Sequence, residues 1–161
     1  MKTVFRMMAL LLSFGILQSC SDDDKKMNVP SLEVTPANIA GVWKLSEWNN
    51  GTEVHEDVYC YIVFERRDMV FKMYQNVNSM YARCITGDFS IEKDEYEGYI
   101  ISGTYDFQLF DDAWSHSYIV TELTADGSMV WVAQDDENNV CKYVRCDAVP
   151  EDIVNESEPI K

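Results

Sequence analysis

Apolar and polar positions alternate with a period of two from residue 41 to residue 146, in runs separated by turn residues. Eight strands are expected, over 41–48, 58–65, 69–76, 81–91, 98–107, 115–123, 128–134 and 139–146. Asn49-Asn50-Gly51, Arg66-Arg67-Asp68, Lys93-Asp94-Glu95 and Ala125-Asp126-Gly127 are among the breaks. No window repeats apolar residues at i, i+3, i+4 and i+7; only residues 36–39 suggest one helical turn. The connections are short, so consecutive strands pair antiparallel. The expected fold is all-β, an eight-stranded antiparallel up-and-down barrel, which leaves no exposed sheet edge. A two-sheet sandwich is the alternative.

Alternation also assigns faces. Trp43, Leu45 and Glu47 fall on one face of the first strand, with Lys44, Ser46 and Trp48 on the other. The inward sets of later strands are Cys60, Ile62 and Phe64; Phe71 and Met73; Ile85, Phe89 and Ile91; Tyr105 and Phe107. They continue with Ile119, Thr121 and Leu123; Met129, Trp131 and Ala133; Cys141, Tyr143 and Arg145. An eight-stranded barrel is filled by side chains or holds one small ligand. Glu47, Met73, Tyr105 and Trp131 are the candidate interior ligand contacts.

The first residues follow another pattern. Lys2 and Arg6 precede an apolar run over 7–17, too short to span a bilayer and of the length of a secretory signal. Leu17-Gln18-Ser19-Cys20 resembles the bacterial lipobox, with Gln18 where that motif prefers a small residue. The resemblance implies cleavage before Cys20 and acylation of it, hence membrane attachment through acyl chains. The acidic run Ser21-Asp22-Asp23-Asp24 resembles the surface-export signal of Bacteroidota-type lipoproteins. The expected plan is a signal peptide over 1–19, a lipid-anchored acidic tether over 20–38, a barrel over 39–147 and a C-terminal tail over 148–161. The expected location is the outer membrane or cell surface.

Gly41-Val42-Trp43 on the first strand resembles the G-x-W signature of lipocalins, and Tyr143-Val144-Arg145 their late-strand arginine. The resemblance covers about residues 39–147. It implies that Arg145 packs on Trp43 at the closed end of the barrel, with Gly41 beside them, a cation over an aromatic face. No C-terminal helix like that of secreted lipocalins is expected. Residues 49–57 are too few for the helical lid of fatty-acid-binding proteins, so fatty-acid specificity does not carry over.

Charge narrows the partners. With 13 Lys+Arg against 28 Asp+Glu and a net charge of −15, the chain is ill-suited to a phosphate backbone, and no nucleic acid is expected. The loops at one barrel end carry Glu53, Glu56, Asp57, Asp111, Asp112, Asp135, Asp136 and Glu137, and no Lys or Arg. Asp111, Asp112, Asp135, Asp136 and Trp114 are the candidate mouth residues for a cation, a basic partner or a polar ligand. The other end carries Arg66, Arg67 and Lys93 and receives the tether.

Catalytic chemistry is sparse. The two histidines, His55 and His116, read as exposed loop residues without partners at catalytic spacing, and no C-x-x-C, H-E-x-x-H or EF-hand loop occurs. Neither an enzyme, a cofactor nor a metal is expected. Cys60, Cys84, Cys141 and Cys146 lie on strands that are not neighbours, and are expected as free, buried thiols. The functional expectation is a lipid-anchored, lipocalin-like envelope protein binding a small molecule in or at the barrel mouth. The alternative is a protein-interaction or inhibitor module of a surface complex, with a filled barrel.

Overall fold

The computed structural model describes residues 29–49, 52–53, 58–77, 81–107 and 113–159. The signal and lipobox expectations, Cys20, His55, Asp111 and Asp112 lie outside the described residues. A short helix α1 (Pro36–Ile39) precedes β1 (Gly41–Trp48), β2 (Thr52–Glu53), β3 (Cys60–Glu65), β4 (Val70–Gln75) and β5 (Arg83–Asp94). Then come β6 (Gly98–Tyr105), β7 (Tyr118–Leu123), β8 (Ser128–Ala133) and β9 (Asp136–Cys146), followed by α2 (Glu151–Glu156) and β10 (Glu158–Pro159). No helix among the described residues is long and apolar enough to cross a membrane.

Each long strand pairs antiparallel with its predecessor, β1 pairs β9, and the remaining neighbours are joined in turn, so eight strands close into one up-and-down barrel. β2 is a two-residue flap on the end of β1. The barrel axis is filled from the closed end by Ile39, Trp43, Ile62, Phe71, Ile101, Leu123, Met129 and Trp131, all almost fully buried.

Of three register shifts among the described strands, one lies at the β8–β9 turn, where Val132 pairs Val140 but Ala133 pairs Asp136, and the other two reset the inside–outside alternation within a strand. In β1, Leu45 pairs Tyr143 but Glu47 pairs Lys142, so Ser46 is an extra residue. In β7, Val120 pairs Trp131 but Glu122 pairs Val130, so Thr121 is the extra residue. Each bulged residue donates its hydroxyl to the facing strand, Ser46 Oγ to the Lys142 carbonyl at 3.0 Å and Thr121 Oγ1 to that of Val130 at 3.4 Å. A bulge shifts the following residues by one, which turns them over. Trp48 therefore enters the barrel where Glu47 was expected. In β7, Tyr118, Val120 and Leu123 face in, and the exposed Thr121 does not.

The closed end is more built than a plain tether. Thr35 caps α1 by accepting from Asn38 N, and Pro36 opens the helix with its preset φ. Ser31 bridges Thr124, Leu32 N donates to the Leu123 carbonyl, and Val34 is buried in the core cluster. The alternating apolar pair Leu32 and Val34 holds the last part of the expected 20–38 tether against the barrel.

The segment expected only as a C-terminal tail over 148–161 carries a short helix and a strand. The chain leaves β9 at the closed end, forms the six-residue α2, and adds β10 in parallel to the start of β5, where Glu158 and Pro159 pair Arg83 and Cys84. This segment runs past the outer face of β3: Tyr59 hydrogen-bonds Ser157, and Asp152 lies close enough to disfavour ionisation of Tyr59 and Tyr61.

Candidate functional site

A cavity of about 290 Å³ opens among the barrel walls at the end opposite α1. Leu45, Trp48, Met73 and Val77 give it an apolar side. Cys60 and Cys141 face it with thiols, and Tyr105, Tyr118 and Tyr143 with phenol rings. Gln75, Asn139, Ser115 and His116 supply its remaining polar groups.

Its floor is an aromatic stack. Trp131 lies 4.8 Å from Tyr143, 5.3 Å from Tyr118 and 5.8 Å from Trp114, centroid to centroid. Phe71 meets Trp114 at 5.1 Å and Tyr105 at 6.1 Å. The indole N–H groups of Trp114 and Trp131 are buried without a partner among the described residues, a cost of about 1–3 kcal/mol each.

Burial disfavours the charged forms of the lining groups. It pushes the Cys60 thiol up to about 12, with the neighbouring Cys141 adding to the effect, and the Cys141 thiol up to about 11. The phenols of Tyr105, Tyr118 and Tyr143 rise for the same reason. All five groups are neutral at physiological pH.

His116 stands at the lip with its Nδ1 2.6 Å from Asp135 Oδ1 and its ring 5.9 Å from that of Tyr118. The hydrogen bond from His116 is the main reason that the Asp135 carboxyl sits below its usual range. A carboxylate only accepts, so Nδ1 carries the hydrogen and Nε2 keeps a lone pair in the neutral ring. His116 is half-buried and has a partner, contrary to the expectation of an unpaired loop histidine. The sequence signal was topological: the end of β8 and the start of β7 meet at the same barrel end.

Of the expected interior contacts, Met73 and Tyr105 line the cavity. Glu47 does not; it points outward after the Ser46 bulge and pairs with Lys142 Nζ at 3.0 Å. Trp131 lies one layer down in the packed core. Trp114 was expected at the rim but is buried. Its backbone N donates to the Gly103 carbonyl at 2.8 Å, and its indole occupies the place of the side chain Gly103 lacks. A Cβ on Gly103 would stand 2.4 Å from that ring.

At the mouth, Asp135 is held by His116, and the exposed Asp136 accepts from Asn138 N. No three His, Cys, Asp or Glu side chains among the described residues come together to hold a metal. The four described cysteines are free; Cys60 and Cys141 are buried as expected, whereas Cys84 and Cys146 are half-exposed.

At the closed end the Arg145 guanidinium lies over the Trp43 ring, 4.3 Å from its centroid. Its Nη1 and Nη2 donate to the carbonyls of Ala40 and Asn38, each at 2.7 Å, and Trp43 Nε1 donates to that of Ile39 at 2.7 Å. Gly41 has φ +121°, and a Cβ there would stand 2.7 Å from Arg145 Nη1. Glycine is needed for both reasons.

A closed eight-stranded barrel, sealed at one end by a Trp–Arg pair and hollow at the other, defines a cavity-bearing β-barrel. The family model described as lipocalin-like domain matches residues 39–131, and the chain belongs to that family. No curated protein and no solved structure matches it.

Proposed function

We propose that the protein is a lipid-anchored envelope component that binds a small molecule in the open-ended barrel cavity, without turnover. The cavity of about 290 Å³ carries this reading, because its volume stands near the lower end of small-molecule pockets, about 300 Å³. Family membership supports small-molecule binding in general. Binding without turnover is favoured by the lining thiols, whose raised pKa keeps the thiolate nucleophile scarce near neutral pH. Among the described residues the exposed large apolar ones are Tyr81, Tyr96, Val144 and Val154, on separate segments, which form little contiguous apolar surface for the protein-partner alternative.

The anchor reading rests on the sequence of residues 1–24. Residues 31–39 lie against the closed end, so an anchor at Cys20 would turn the mouth away from the membrane. Native mass spectrometry of protein purified from its own host tests the binding reading. A retained small molecule, lost in Met73→Trp, which fills the cavity, is the expected result. Added mass that persists in Met73→Trp, or none in repeated native preparations, would reject it.

A further inference from the structure

A quarter of this chain is charged, yet no Lys, Arg, Asp or Glu appears among the described residues that line the cavity. Several described ions around the barrel are engaged elsewhere. Lys142 and Glu47 pair with each other outside the wall. Arg145 is spent at the opposite end on two carbonyls and Trp43. Asp135 is taken by His116. Among the described lining residues, a ligand carboxylate or ammonium would lose its hydration and meet no Lys, Arg, Asp or Glu, which is unfavourable for either sign.

Gln75 and the phenols of Tyr105 and Tyr118 also line the cavity, but among the lining groups it is His116 whose ring is held by a carboxylate. Asp135 holds Nδ1, so the ring presents Nε2, which has no hydrogen-bond partner among the described residues. This is the arrangement in which a carboxylate fixes a histidine's tautomer and orientation. Tyr118 packs edge-on against the imidazole and continues the aromatic wall toward Trp131. Flat rings therefore meet ring faces on the inner side and, in the neutral ring, the Nε2 lone pair of His116 at the lip.

Building on the small-molecule reading above, we infer that the cavity selects an uncharged ring compound and holds it by one hydrogen bond, from a ligand hydroxyl or N–H to His116 Nε2. Asp135 is the positioning residue for that acceptor.

Four probes that differ in one substituent at the same ring position test this: naphthol, methylnaphthalene, naphthoate and naphthylmethylammonium. Their affinities for the folded chain are measured at neutral pH by calorimetry and by quenching of tryptophan fluorescence. Naphthol is expected to bind at least about tenfold more tightly than either ion, since a desolvated hydrogen bond or ion is worth about that factor or more. His116→Phe is expected to lower naphthol affinity about tenfold, to the level of methylnaphthalene, and to leave methylnaphthalene itself unchanged. His116→Gln, which keeps an acceptor oxygen, restores part of the loss. Asp135→Asn weakens naphthol but not methylnaphthalene. Naphthoate or the ammonium binding as tightly as naphthol overturns the inference while the cavity stands. So does His116→Phe weakening naphthol and methylnaphthalene equally. Failure of all four probes to bind rejects the small-molecule reading itself, and the selectivity with it.

Discussion

The Arg145 guanidinium covers the face of Trp43 at 4.3 Å while both residues bond the chain around α1, Arg145 through Ala40 and Asn38 and Trp43 through Ile39. The pair joins the first and last strands, because Trp43 and Arg145 are register partners of β1 and β9. It thus ties barrel closure to the closed-end cap.

Trp43→Ala is expected to destabilise by about 3–5 kcal/mol, the range for a large buried aromatic. Arg145→Ala is expected to cost about 1–3 kcal/mol, from the cation–π contact and two charge-assisted hydrogen bonds. The double variant should cost less than the sum, by about 0.5–2 kcal/mol. Urea denaturation of the four proteins measures this. Strict additivity, or a neutral Arg145→Ala, would show that the pair does not close the barrel.

The Ser46 bulge gives opposite expectations for two adjacent residues. Glu47 makes a half-exposed ion pair with Lys142, so Glu47→Ala should cost no more than about 1 kcal/mol and leave naphthol binding unchanged. Trp48 faces the cavity, so Trp48→Ala should weaken naphthol binding. The reverse result would mean that the alternation runs unbroken through β1.

This bulge also marks where the sequence stopped being legible. The eight long strands fall close to their expected ranges because period-two alternation survives in a barrel with one wet and one dry face. Inside a strand, alternation predicts faces only until an extra residue intervenes. Ser46 and Thr121 look like ordinary polar strand residues, and their bulges arise from pairing with β9 and β8, which one strand's pattern does not contain. Hence Met73 and Tyr105, on strands without such a shift, were placed correctly, and Glu47, Ile119 and Thr121 were not. Trp114 was misread for a related reason. Its burial depends on the missing side chain of Gly103 across the sheet. The C-terminal helix was missed because six residues are too few to show helical periodicity.

The cavity thiols set a pH dependence. Cys60 and Cys141 ionise near 12 and 11 in the fold, against an ordinary value of 9.0. Above about pH 9 the unfolded chain has lost protons that the native chain keeps, so stability falls as pH rises and continues to fall until the native thiols ionise. The raised phenols of Tyr105, Tyr118 and Tyr143 steepen the loss above about pH 10. Cys60→Ala with Cys141→Ala should flatten the slope between about pH 9 and 10, as read by urea midpoints at stepped pH. An unchanged slope would show that these thiols are not the groups responsible.

The anchor makes a separate expectation. Cys20→Ala should abolish metabolic labelling with a radioactive fatty acid and leave an unacylated precursor. Replacing Asp22, Asp23 and Asp24 by Ala should preserve labelling and reduce protease accessibility on intact cells. Continued labelling of Cys20→Ala would remove the lipobox reading, and unchanged accessibility of the triple variant would remove the export-signal reading.

The packing of Trp114 on Gly103 makes the sharpest structural test. Trp114 is held by its backbone N on the Gly103 carbonyl and by rings of Phe71 and Trp131. Any side chain at residue 103 meets the indole: the added Cβ would lie 2.4 Å from Cε2 and 2.7 Å from Nε1. Overpacking of this kind costs about 1–3 kcal/mol, because neighbours leave their rotamers. Gly103→Val should therefore destabilise by at least that amount and move Trp114 toward water, shifting tryptophan emission to longer wavelength. Trp114→Ala alone should cost about 3–5 kcal/mol. In that background Gly103→Val should cost little or stabilise, since its methyl groups enter the space the indole leaves. Matched chemical denaturation of the two single variants and the double variant reads the coupling. If Gly103→Val costs the same with and without the indole, Trp114 does not occupy the barrel interior, and its place at the rim is restored.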